Sequence, residues 1–184
     1  GLQYLYGNLE FSPNSNTSPR LGTDDGDNAL GGLPGMSAFY VTPLGEKVGV
    51  GVGMFSYFGL AAEYDSDWVG RYYVQDSTLI GVTLMPSVSY KVNDWLSVGA
   101  GMNAMYGYLY NKVALNNLEI GFGDGEMKLQ NGVWGFGANA GILIELSKGT
   151  RIGLTYLSQV NLDFEDRPHF TNLGPGLSAL LSDP

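Results

Sequence analysis

Two long stretches of this chain, residues 95–111 and 129–144, contain no charged side chain and alternate almost without interruption between two kinds of residue. In the first, Leu96, Val98, Ala100, Met102, Ala104, Tyr106 and Tyr108 oppose Ser97, Gly99, Gly101, Asn103, Met105 and Gly107. In the second, Trp134, Phe136, Ala138, Ala140, Ile142 and Ile144 oppose Gly135, Gly137, Asn139, Gly141 and Leu143. A period of two is the signature of a β-strand, whose side chains point alternately to its two faces. One face of each strand is therefore apolar, and the other is small or polar.

The same pattern predicts seven strands, at 2–12, 35–43, 47–57, 78–92, 95–110, 132–146 and 151–164. Several exceed the usual strand of about five or six residues. A soluble sandwich would show the same period, with its apolar face against a second sheet. A tilted membrane strand, by contrast, needs about 9–11 residues, which the two charge-free stretches supply. Composition favours the membrane: 28 glycines, 12 tyrosines and only 15% charged residues, against about 25% charged in an ordinary soluble domain.

The connections are sorted by length. Gly45-Glu46, Asn93-Asp94 and the turn at 147–150 are tight, while 13–34, 58–77, 111–131 and the tail from Glu165 are long. Short turns at one end and long loops at the other are characteristic of outer-membrane barrels. Lys47, Lys91, Lys148 and Arg151 flank the short turns, and acidic residues gather in the long links. Tyr90 and Trp95 lie near a short turn, and Tyr106, Tyr108, Tyr110 and Trp134 lie toward the long-loop end, as in an interfacial aromatic girdle. The expected fold is all-β: an antiparallel up-and-down transmembrane β-barrel, one partial domain over residues 1–184, in a bacterial outer membrane.

Several function classes are disfavoured. A net charge of −9 argues against nucleic acid, whose phosphates need a basic surface. Absence of cysteine removes disulfides and thiolate chemistry. The single His169 has no second histidine for a zinc site and no nucleophile-elbow motif for a hydrolase. Thr23-Asp24-Asp25-Gly26-Asp27-Asn28 offers the oxygen ligands of a calcium site but not its spacing, and reads as a solvated acidic loop. The glycine alternation is not followed by a helix, so it is not a phosphate loop. The chain is expected to be neither an enzyme nor a binder of metal or cofactor. No run approaches a transmembrane helix. The chain opens without a signal peptide, so an exported protein would have lost one or begin further upstream.

Particular stretches carry a family resemblance. FGLAAEYDSDWVGRY (from Phe58), SVSYKVNDWLSVGAGMNAMYG (from Ser87), WGFGANAGILIEL (from Trp134) and RIGLTYLSQVNLDF (from Arg151) resemble, in order, the FadL/TodX outer-membrane channels for long-chain fatty acids and aromatic hydrocarbons. The resemblance implies a monomeric 14-stranded barrel, of which this chain supplies about seven strands, lying in outer-membrane lipid and lipopolysaccharide. It implies capture of a long-chain fatty acid or another hydrophobic small molecule from outside, and sideways release through a gap at a kink in the third strand. Ser56, Tyr57, Phe58, Gly59 and Leu60 match that kink, and glycine at 59 suits a bend. The family's Asn-Pro-Ala hatch is absent, and the 111–131 loop is shorter than the family's capture loop. The lumen would be lined by Asn103, Asn139, Gln159 and Asn161, and a hydrocarbon would touch Met85, Met105, Leu143 and Leu157. Glu145, Arg151 and Asp163 are candidates for ion pairs near the short-turn end. The competing readings are a general porin or structural surface barrel and a soluble β-sandwich binding module.

Overall fold

The computed structural model describes residues 1–13, 25–117 and 122–181. Its elements are β1 (Leu2–Tyr6), β2 (Gly32–Met36), β3 (Ala38–Leu44), β4 (Val48–Glu63), β5 (Asp76–Lys91), β6 (Leu96–Leu115), β7 (Gly125–Ser147), β8 (Thr150–Leu157), β9 (His169–Thr171) and α1 (Pro175–Leu181). Strands β3 to β8 form one meander in chain order, β9 joins it by pairing with β7, and β1 and β2 make a separate two-stranded sheet. Every pairing is antiparallel. The sheet is open at β3 and β8.

Register turns the alternation of each strand into two continuous faces. Val50, Val88, Ala100, Ala140 and Tyr156 lie side by side across five strands, and Gly51, Ser87, Gly101, Asn139 and Leu157 form the adjacent row on the other face. The first face is the expected lipid side. Trp134 and Phe136 stand 60% and 66% exposed on it, which a sandwich interior would not allow. The band from Tyr90 to Ile80 along β5 spans ten residue steps, about 33 Å at about 3.3 Å per residue. With a tilt of about 40° this becomes about 25 Å, the height of a barrel's apolar band.

The four central strands have 16, 16, 20 and 23 residues, and they run past the ends expected from the sequence at Tyr57, Thr78, Tyr110 and Gly132. Charged residues lie beyond those expected ends, and the ladder runs through them even where like charges face each other, as Glu63 does Asp76. Asp76 faces Lys112, and Lys112 faces Lys128. Glu126 joins both lysines, at 3.3 and 2.7 Å. The long-loop end of the sheet thus stands clear of the aromatic row.

Three other expected strands need correction. The 2–12 segment is a strand only to Tyr6. Beyond it, Leu9 is held by the Asn28 side chain and accepts from the Ala29 amide. The 35–43 segment divides at Ser37, where the chain exchanges a neighbour on one edge, β1, for a neighbour on the other, β4. The 151–164 segment leaves the ladder after Leu157. Residues 158–168 then lie across the glycine face of β6 and β7 before rejoining β7 as β9. A Cβ on Gly135 would sit 2.5 Å from the Asn161 carbonyl oxygen, and one on Gly107 would sit 2.8 Å from Leu162. Only glycines admit a chain this close.

The long loops are folded against one another. Trp68 stacks on Tyr64 at 3.9 Å and meets the edge of Phe11 at 5.7 Å. Buried Asn117 donates to the carbonyls of Gly123 and Asn172 and accepts from the Gly174 amide.

Candidate ligand path

The kink residues form a real discontinuity. Pairing of β4 with β5 runs from Val48↔Tyr90 to Ser56↔Val82 and resumes at Phe58↔Gly81, so Tyr57 is an extra residue, a β-bulge. A bulge bends its strand and shifts the alternation by one. Below it Gly49, Gly51, Gly53 and Phe55 occupy the glycine face; above it Phe58 and Leu60 do, and Gly59 turns to the other side. The Ser56 hydroxyl lies 2.8 Å from the carbonyl oxygens of both Phe58 and Gly81 and donates across the irregularity. Gly81 makes room for the Phe58 ring, since a Cβ there would lie 2.5 Å from it. Gly59 has open space around its Cβ position, so the bend rests on Tyr57, Ser56 and Gly81, and glycine at 59 is not sterically required. Ser56→Ala should cost about 1 kcal/mol of stability, measured as a lower denaturant midpoint.

The bulge sits beside a missing ladder. The β3–β4 register, extended upward from Ala38↔Met54, would set Met36 opposite Ser56 and Gly32 opposite Leu60. Those strands do not pair there; among the described residues β2 is bonded only to β1. Between them opens a cavity of about 520 Å³ lined by Leu5, Leu33, Met36, Phe55, Tyr57 and Phe58 among others, with no charged residue. Phe39 stacks on Phe55 at 5.9 Å, and Phe55 meets Tyr57 edge-on at 4.9 Å. This row of rings runs from the glycine face to the gap.

A second cavity, of about 540 Å³, lies on the glycine face toward the short turns. Met85, Asn139 and Leu143 line it with Val41, Ser87 and Thr155, and it too is free of charge. The other expected lining residues lie outside this cavity. Asn103 is 2% exposed and accepts a 3.0 Å hydrogen bond from Asn139. Met105 is 7% exposed. Both are buried instead of lining the groove, since the crossing chain covers that part of the face. Gln159 and Asn161 look away from the sheet out of that crossing chain, bonded to each other at 2.7 Å. Leu157 ends β8 on the glycine face. Phe39, Val41 and Phe55 were not expected here. The signal for two of them was the tight turn at Gly45, which pairs Phe39 with Gly53 and Val41 with Gly51.

The girdle residues keep to the opposite face. Tyr106 pairs with Trp134, ring centroids 5.2 Å apart, and Tyr108 and Tyr110 follow on the same side. Tyr90 lies on that face at the short-turn end, and Trp95 is exposed in the turn before β6. Glu145 and Arg151 pair at 2.9 Å beside a short turn, but Asp163 stands apart from them in the crossing chain. Of the acidic 23–28 stretch, Thr23 and Asp24 lie outside the described residues. Asp25 accepts from the Asp27 amide, and Asn28 ties to Gly7 and Leu9. Among the described residues no cluster of His, Asp or Glu is placed to hold a metal. His169 lies exposed in β9 opposite Lys128.

The outer loops are clamped by Asp124, which accepts from Arg71 at 2.7 Å and from the Tyr72 hydroxyl at 2.8 Å. Burial pushes the Tyr72 hydroxyl above its ordinary range, and the Asp124 bond adds to the rise against the pull of Arg71. Folding therefore favours the protonated hydroxyl. Its contribution is complete below the ordinary tyrosine value of about 10 and is lost as pH rises through the raised one. Proteolysis near Tyr73 should accelerate above that pH, and Asp124→Asn should bring the same loosening to neutral pH.

Comparison with known proteins gives a consistent picture. The family model described as outer membrane protein transport protein (OMPP1/FadL/TodX) matches residues 1–180. A long-chain fatty acid transport protein of Salmonella typhi is 33% identical over 167 residues, covering 82% of this chain and 38% of that protein. Outer membrane protein P1 of Haemophilus influenzae is 32% identical over 156 residues, 70% of this chain and 34% of its own length. Among solved structures, a Pseudomonas aeruginosa FadL homologue superposes with a TM-score of 0.65 at 20% identity, over 86% of this chain and 41% of that one. The Ralstonia pickettii toluene transporter TbuX gives 0.57 at 22%, over 73% and 42%. The chain thus spans well under half the length of these relatives.

Proposed function

Because this chain belongs to the OMPP1/FadL/TodX family of outer-membrane transport proteins, we propose that it forms a section of the wall of a channel for passive uptake of hydrophobic small molecules, with long-chain fatty acids as the ligand. One observation supports the reading: an uncharged, aromatic-lined cavity lies where β2 and β4 fail to pair. A hydrophobic molecule gains about 25 cal/mol per Å² on leaving water for such a surface. Entering lipid requires no return to water, so a gap in the wall offers it an exit sideways without a hydration barrier.

In this reading ligand moves along the glycine face, touching Met85 and Leu143, then past Phe39 and Phe55 to the opening at Ser56, Tyr57 and Phe58. The opposite face lies in outer-membrane lipid, with Tyr90 and Trp95 at one interface and Tyr106, Tyr108, Tyr110 and Trp134 at the other, next to lipopolysaccharide. The barrel works as a monomer. Two relatives are named for long-chain fatty acid transport and for toluene transport, and the same neutral lining suits both classes.

The test is restoration of growth on a long-chain fatty acid in a Gram-negative strain lacking its own fatty-acid channel, with the full-length protein expressed. Growth is the expected result. Assembled protein in the outer membrane without growth would overturn the fatty-acid assignment, and equal failure with toluene uptake would overturn transport of hydrophobic compounds altogether.

A further inference from the structure

Residues 158–168 satisfy their own alternation in two different places. In the register of β7 with β8, Leu157 faces Asn139 and Tyr156 faces Ala140. Continuing that register would set Asn161 opposite Gly135 and Leu162 opposite Trp134. Val160, Leu162 and Phe164 would then extend the lipid-facing row of Ile152, Leu154 and Tyr156, and Gln159, Asn161 and Asp163 would face the lumen. That is the pattern of an uninterrupted wall strand.

In the structure the same segment is a strap on the lumenal side. Its apolar row rests on glycines: a Cβ on Gly135 would lie 2.6 Å from Val160, and one on Gly107 would lie 3.0 Å from Phe164. Its polar row still looks into the lumen. Residues 129–137 of β7 have no ladder partner on that side among the described residues, and the Ala138 carbonyl accepts from the Ser158 amide at 2.9 Å. Side chains cap the two ends of the opening: the Ala138 amide donates to the Ser158 hydroxyl and the Gln130 amide to Asp166.

The two placements match in length. Eleven residues, 158–168, run beside ten, 129–138, and the chain rejoins β7 one residue out of the earlier register. Neither β8 nor β9 need unpair for the segment to move. The apolar row is covered either way, by lipid or by the glycine track. The wall placement gains ladder hydrogen bonds, which are valuable where no water replaces them; the strap gains close packing on the sheet. Two packings of one sequence with such balanced terms make a two-state element.

We propose that residues 158–168 exchange between a lumenal strap and a wall strand, and that this exchange gates the bore of the channel. With the strap inside, the lumen is narrowed beside β6 and β7; with the strand in the wall, the glycine track is bared and the bore widens. The inference rests on the barrel reading but not on the identity of the ligand, so ion conductance tests it independently of fatty-acid growth.

This chain has no cysteine, so within it the paired substitutions supply the thiols that are read. In the full-length protein, Gly107→Cys with Leu162→Cys joins strap to track, since a Cβ on Gly107 meets only the side-chain ends of Leu162 and Phe164, and Trp134→Cys with Leu162→Cys joins the strand into the wall. Heat-modifiable mobility on gels verifies that each variant is folded. Both pairs should oxidise. The first should lower single-channel conductance in planar bilayers and the second should raise it, each returning to the unlocked value on reduction. Folded protein in which the first pair does not oxidise overturns the strap, and oxidation of both pairs without change in conductance overturns the gate. If the Gly107 pair does not assemble, Gly137→Cys with Ser158→Cys reads a neighbouring contact of the strap, since a Cβ on Gly137 would lie 2.8 Å from the Ser158 hydroxyl.

Discussion

Leu84→Arg should destabilise the assembled protein by about 2–4 kcal/mol, the cost of a basic side chain on the lipid face near the bilayer midplane. Leu84 lies between Tyr90 and Ile80 on β5, beside Met54 and Ala104, on the face that carries the aromatic row. An arginine there must reach an interface at least two turns of the pleat away or drag water into the apolar band. Ser87 lies three residues further along the strand on the other face and lines the uncharged groove. Ser87→Arg should cost about 1 kcal/mol or less, because a barrel lumen tolerates polar groups. Denaturant titration in lipid vesicles of the two variants reads the difference directly. Equal penalties would mean that both faces meet the same medium, and the assignment of lipid and lumen would fall.

Deleting Tyr57 should cut uptake of a hydrophobic ligand by about tenfold or more, equivalent to about 1.4 kcal/mol or more on the limiting barrier. The deletion removes the extra residue between Ser56↔Val82 and Phe58↔Gly81, so β4 runs straight along β5. A straight β4 comes within reach of β2, whose residues 32–36 are already in register for it, and a closed ladder has no gap. Phe58 keeps its place opposite Gly81, so the variant loses the opening and little else. Its measured stability should be unchanged or higher, which separates a closed exit from a damaged fold. Undiminished uptake by a folded deletion variant would show that ligand leaves by another route.

Much of this architecture was legible because a barrel strand writes its environment into its sequence at a period of two. Val98 against Gly99 and Phe136 against Gly137 already state which side meets lipid, and the tight turns at Gly45, Asn93 and Gly149 state the order of the strands. The girdle from Tyr106 to Trp134 and the groove residues Met85, Asn139 and Leu143 followed from the same alternation. The kink at Ser56–Leu60 was visible only by family likeness, and even then its cause was misplaced. A bulge is a mismatch between two strands, so Tyr57 is extra only in relation to Val82 and Gly81, 24 or more residues away.

Alternation along one strand is local chemistry, and the amino-acid sequence alone determined it: the strands, their faces and their order. Whether a patterned segment actually takes its place in the ladder depends on what lies beside it, and that only the tertiary structure decided. Ser37 changes neighbours, β2 and β4 stay unpaired, and residues 158–168 rest on Gly107, Gly135 and Gly137 instead of continuing β8. The physical reason is the same in each case. Hydrogen bonds between strands and room for close approach belong to pairs of segments far apart in the chain, and no single stretch of residues encodes them.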